Sequence, residues 1–206
     1  MRELRERAKR VGRRNAKTIY SWWRQFQAGR YMQDTIAILE RTPGTLNALL
    51  RGLPEPCTQT NEGENTWSAR DVVGHLIDGE REDWIPRARI ILQHGESQPF
   101  TSFDRWRGVR DSQGKSLDLL LDEFARLRSE SLSQLRALNL QGEDFQKRGR
   151  HPALGVVSVS ELLATWVVHD LSHLHQISRV LAHQYRDCVG PWREYLGVLR
   201  CKGHSS

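Results

Sequence analysis

The chain has 206 residues and 23.8 kDa, enough for one ordinary domain with a hydrophobic core but not for a separate cofactor domain. Apolar residues make up 38% and charged residues 27%, and no stretch approaches the roughly 18 uncharged apolar residues of a membrane span, which points to a protein that lives in water. The formal charge of +6 is uneven: residues 1–31 carry ten Lys or Arg against Glu3 and Glu6, while the rest carries 21 basic and 23 acidic residues, so the core offers nucleic acid no net attraction.

Two accounts of residues 1–31 compete. They can form a basic arm for nucleic acid or anionic lipid, with Trp22, Trp23 and Phe26 as apolar contacts. The favoured reading is a disordered extension ahead of a natural start at Met32, because a capped helical pattern begins only after that residue. Asp34 is the expected cap of a first helix carrying Ile36, Leu39, Leu46, Leu49 and Leu50, with a restart at Thr42-Pro43. Residues 52–66, rich in Gly, Pro and Asn, read as a polar loop. Ser68 with Asp71 three residues on resembles a capping box, and Trp67 before it can staple the second helix against Val72. That helix carries Val72, His75, Leu76 and Gly79, then Trp84, Ile85 and Ile90 to Leu92, with a kink expected at Pro86.

Residues 95–115 form a long loop holding Phe100, Phe103 and Trp106, and a loop of that length is usually functional or folded onto the body. Ser116 opens a third helix whose Leu117, Leu120, Leu121, Phe124, Leu127, Leu132, Leu135 and Leu138 make one stripe, suited to a core or a homodimer contact. Residues 149–159 read as a turn with a short extended piece. Ser160 is the expected cap of a fourth helix reaching about Tyr185, and Gly190-Pro191 starts a short last helix through Leu199. No convincing alternating strands are present, so the expected fold is all-α: a four-helix bundle over residues 32–200, with a short C-terminal helix, a basic N-terminal extension and a tail at 201–206. Cys57, Cys188 and Cys201 are few, odd in number and widely spaced, which fits a reduced cytoplasmic protein rather than a disulfide scaffold.

The histidines carry the chemistry. His169 and His173 lie four apart on the fourth helix, offset by about 40° and one turn above the other. Two stacked imidazoles can share one metal ion, and here they sit on the stripe of Leu162, Trp166, Ile177 and Val180, which ought to be buried. His175 points away, and His183 lies about 15 Å further along the helix. His75 is the better third ligand, a polar group among apolar neighbours. Three imidazoles would leave positions for water or substrate, as in a catalytic metal site. The competing reading is a set of hydrogen-bonded core histidines, and periodicity alone leaves the two about level.

The runs Trp67-Ser-Ala-Arg-Asp-Val-Val-Gly-His75-Leu-Ile-Asp-Gly-Glu and Trp166-Val-Val-His169-Asp-Leu-Ser-His173-Leu-His-Gln176-Ile177 resemble the DinB-like family of bacterial four-helix proteins. The resemblance covers roughly residues 32–200, including Arg150-His151-Pro152-Ala-Leu-Gly155. It implies a divalent metal held by His75, His169 and His173. It also implies a metal-dependent enzyme on a small substrate, either a transferase using a low-molecular-weight thiol as co-substrate or a hydrolase. Zinc and nickel are the expected ions, although imidazole ligands do not choose between metals. A non-catalytic metal-binding or dimerisation module is the rival reading, and a nucleic-acid-associated protein working through the basic segment is another. Asp78 and Glu82, three and seven residues after His75, are the weak candidates for acid–base work. Gln176 can hydrogen-bond near the metal, Phe100, Phe103 and Trp106 can line a pocket, and Asp170 is expected to make an interhelical contact.

Overall fold

The structure is a computed structural model and describes residues 28–201. The first 27 residues, with Trp22, Trp23, Phe26 and most of the basic segment, lie outside the described residues. Helix α1 (Ala28–Leu39) is followed at once by α2 (Arg41–Leu50), and a short α3 (Glu55–Gln59) lies inside the expected polar loop. Helix α4 (Ala69–Glu82) runs into α5 (Trp84–His94), α6 (Arg107–Asp111) is a single turn or so in the aromatic loop, and α7 (Leu117–Ala137) follows. A hairpin of β1 (Arg148–His151) and β2 (Gly155–Ser158) leads into the longest helix, α8 (Val159–His183). Counting each broken pair as one rod, α1–α2, α4–α5, α7 and α8 make the four-helix bundle.

Local chemistry sets most helix starts. Ser68 and Asp71 form a reciprocal capping box at α4, and the Ser116 side chain accepts from the Leu119 N–H at α7. Trp67 and Val72 are buried in the same cluster, as a staple requires. Other boundaries depart from expectation. Asp34 lies inside α1, which already begins at Ala28. The second rod breaks at Asp83, so Pro86 sits in the first turn of α5, where its missing N–H costs nothing. Helix α8 is capped by Ser158, whose hydroxyl accepts from the Glu161 N–H, rather than by Ser160.

The extended piece is a true antiparallel hairpin in the register Arg148↔Ser158 to His151↔Gly155. Its ladder hydrogen bonds form between strands too short to show a period of two. The His151 Nδ1 accepts the Ala153 and Leu154 N–H groups at 3.1 Å, closing the turn. The C-terminal segment is 3₁₀ at Gly190–Tyr195 and Gly197–Leu199 rather than an α-helix.

The core has two parts. One joins Leu39, Trp84, Ile85, Leu132, Leu163 and Trp166; the other joins Leu46, Leu50, Val72, Leu76, Leu120, Phe124 and Ile177. Arg128 of α7, 1% exposed, lies between them. Its guanidinium donates to Glu80 of α4 (2.8 and 3.1 Å), to both carboxylate oxygens of Asp170 of α8 (2.6 and 3.0 Å) and to the Leu39 carbonyl (2.9 Å). Thr42 of α2 donates to Asp170 and the Trp166 indole to Glu80. One cation thus ties together all four rods, and buried polar networks of this kind favour a single packing register. Among the described residues, no helix is long and apolar enough to cross a membrane.

Candidate metal centre

His75 projects from the middle of α4, and His169 and His173 project from successive turns of α8. The capping box fixes where α4 starts, and the Arg128 network fixes α4 against α8. The result is convergence: the Nε2 atoms of His75 and His169 are 3.1 Å apart, as are those of His169 and His173. One ligand nitrogen from each of the three lies within 4.8 Å of the others. Nitrogens bound tetrahedrally at 2.0–2.1 Å from one ion lie about 3.3 Å apart, so the spacing suits a shared cation. His175 is exposed and His183 sits at the far end of α8, so neither joins the group.

The electrostatics keep the imidazoles neutral. Burial, then repulsion from His173 and Arg105, pushes His75 down to about 3. Burial holds His169 well below the ordinary histidine value and lowers His173 as well, with Gln176 opposing the shift at His173. At neutral pH all three present lone pairs, the form a metal needs. The His173 Nδ1–H donates to Gln176 Oε1 at 2.8 Å, which fixes the tautomer and turns the His173 Nε2 lone pair toward the other two. Among the described residues the Nδ1 atoms of His75 and His169 are buried without a hydrogen-bond partner, although the Arg105 backbone comes near enough to His75 to favour its proton slightly.

Aromatic rings surround the cluster. Trp67 lies 4.6 Å from His75 and 6.1 Å, stacked, from His173; Trp84 meets His169 edge-on at 5.0 Å. From the long loop, Phe103 meets His75 edge-on at 5.5 Å and Trp106 meets Trp67 at 5.6 Å. Phe100 instead enters the core beneath the hairpin, where Arg87 and His151 contact its ring.

The loop is held by α6 against α4. There the backbone of Gly108 crosses that of Gly74 so closely that a Cβ on Gly74 would stand 2.8 Å from the Gly108 carbonyl oxygen. Asp78 and Glu82 serve this junction: Arg107 donates to Asp78 at 2.8 Å and lies 3.6 Å from Glu82, and burial raises the Asp78 carboxyl. Their ion pairs thus run to α6. Asp170 makes its interhelical contacts through Arg128 and Thr42. Sequence reasoning singled out neither Trp84 nor Arg105 for the site, and it read Trp67 only as a staple; the position of Trp67 one residue before the cap of the His75 helix was the available signal.

Comparison with known proteins places the chain in a family. A candidate metal-dependent hydrolase of Bacillus licheniformis is 28% identical over 162 residues, covering 76% of this chain and 87% of its own. Another, from Bacillus cereus, is 25% identical over 150 residues, covering 71% of this chain and 84% of its own. YfiT from Bacillus subtilis, described as a probable metal-dependent hydrolase with an unusual four-helix bundle topology, superposes with a TM-score of 0.65 at 21% identity. That match covers 77% of this chain and 89% of YfiT, and it shows a shared fold. The model of the DinB superfamily matches residues 38–177, a span that contains all three histidines, and the chain belongs to that superfamily.

Proposed function

We propose that His75, His169 and His173 hold one divalent ion, zinc or nickel, and that the chain is a metal-dependent hydrolase acting on a small substrate. The observation that carries the reading is the convergence of three neutral Nε2 atoms, with no carboxylate in the cluster among the described residues. Held by His75, His169 and His173, such an ion would supply Lewis acidity, lowering the pKa of water toward neutrality and polarising a substrate oxygen. The names of the two Bacillus relatives point the same way.

The chain's own residues do the rest. Gln176 orients His173. Trp67, Trp84 and Phe103 exclude bulk water from the imidazoles, which strengthens electrostatic interactions inside the site. Asp78 and Glu82, through Arg107, hold the loop that closes one side.

The test is elemental analysis of purified protein beside His169→Ala and His173→Ala. It is followed by assays of the zinc- and nickel-loaded forms on small esters and amides, and on an electrophile with a low-molecular-weight thiol. The expected result is about one ion per chain, lost in both variants, with hydrolysis of esters or amides by the loaded form. Unchanged metal content in the variants refutes the site; turnover only in the presence of the thiol replaces hydrolysis with thiol transfer.

A further inference from the structure

The long loop brings a cation to the cluster. The Arg105 guanidinium lies 5.8 Å from the centroid of the Trp67 ring, the same ring that packs on His75 and His173. The loop's other arginines are engaged by carboxylates: Arg107 by Asp78 and Glu82, and Arg110 by Asp104. Among the described residues no carboxylate pairs with Arg105, which is exposed and rests on the indole alone.

This arrangement is unbalanced in one direction. The three ligands are neutral, so an ion held by them would keep its full positive charge, and Arg105, over the indole that packs on two of those ligands, adds another. The nearby acids are committed elsewhere, with Asp170 and Glu80 on Arg128 and Asp78 on Arg107. Positive charges gathered around one indole repel one another, and an anion bound among them offsets that repulsion. A guanidinium held over an indole is well suited to supply that contact, because with no carboxylate partner among the described residues its donors can take a carboxylate.

We propose that Arg105 is a substrate-recognition residue, and that the substrate is a small organic anion whose carboxylate it holds above Trp67, beside the three-histidine cluster. The inference rests on the proposed function for its chemistry, but the anion contact itself depends only on Arg105 and Trp67. The two can therefore fail separately.

The experiment uses the full chain, metal-free and zinc-loaded, with benzoate and its neutral analogue benzamide as probes and tryptophan fluorescence as the readout. Benzoate is expected to give a saturable change that benzamide does not, in both forms. Arg105→Gln should weaken benzoate about 10- to 100-fold, the range of a lost charge-assisted pair, and Arg105→Lys should restore part of it. Arg105 is exposed, so both variants should fold and retain the metal content of the parent. Equal binding of the two probes, no saturable binding of benzoate in either form, or a Kd for Arg105→Gln equal to that of the parent overturns the proposal. Loss of metal from His169→Ala with benzoate binding intact leaves it standing, whereas absence of metal from the parent defeats the hydrolase reading alone.

Discussion

Replacing Arg128 with Met tests whether a single buried cation holds the four rods in register. Arg128 is 1% exposed, and its side chain is matched to Glu80 and Asp170, whose side chains are 1% and 0% exposed. Methionine fills much of the same volume but supplies no donors. Asp170 would keep only the Thr42 hydroxyl, Glu80 would keep the Trp166 indole at 3.1 Å, and the Leu39 carbonyl would lose its Arg128 donor. Breaking a buried pair in this way costs about 3–5 kcal/mol, most of it from the stranded charge. For a domain of this size each kcal/mol lowers Tm by about 2–4 °C, so the expected fall is about 6–20 °C.

The cost should shrink in acid. Burial already raises the Glu80 carboxyl, and removing Arg128 raises it further, so the variant's Glu80 takes up a proton as pH falls and the stranded charge disappears. Calorimetry of the metal-free protein at pH 7 and pH 5 measures both effects. The triple variant Arg128→Met/Glu80→Gln/Asp170→Asn should recover part of the loss. A fall in stability below about 1 kcal/mol at pH 7, or one that grows on acidification, would refute the reasoning.

Three further outcomes are expected. Gln176→Leu removes the acceptor that fixes the His173 tautomer and should weaken zinc binding about 10- to 100-fold by competition with a chromogenic chelator, with little change in fold; unchanged affinity would show that the bond does not orient the ring. Gly74→Ala drives a methyl group into the Gly108 carbonyl and Ser112, so it should cost about 1–3 kcal/mol and loosen the loop, detected as faster amide exchange at Phe103 to Trp106; exchange equal to the parent would count against the close approach. The three histidines titrate below the ordinary value of 6.5, His75 at about 3, so their contribution to metal-free stability is full above about pH 6.5 and drains as pH falls toward 3. Chemical denaturation of the parent should thus lose more stability from pH 7 to pH 5 than that of His75→Leu/His169→Leu, and equal losses would sink the assignment.

Much of the architecture was legible because it is written in local signals. Capping pairs such as Ser68 with Asp71 act within one turn, and the apolar period of α7 shows which side faces inward. The spacing of His169 and His173 puts both rings on one side of α8 whatever surrounds it. The strands of the hairpin, only four residues each, left no period to read, and the break at Asp83 fell before the proline expected to cause it.

By itself, then, the sequence determined the bundle class, the paired imidazoles and the suspicion that a polar His75 amid Val72 and Leu76 had a partner. Only the tertiary structure decided the rest. The register of α4 on α8 brings His75 within 3.1 Å of His169, and it depends on Arg128, some 40 to 50 residues from each acid it binds. The Gly74–Gly108 contact, also set by packing, brings Phe103 and Arg105 to the cluster. Propensity and capping act over a few residues, whereas a coordination-sized convergence depends on how distant helices fit side by side, which no short window of sequence encodes.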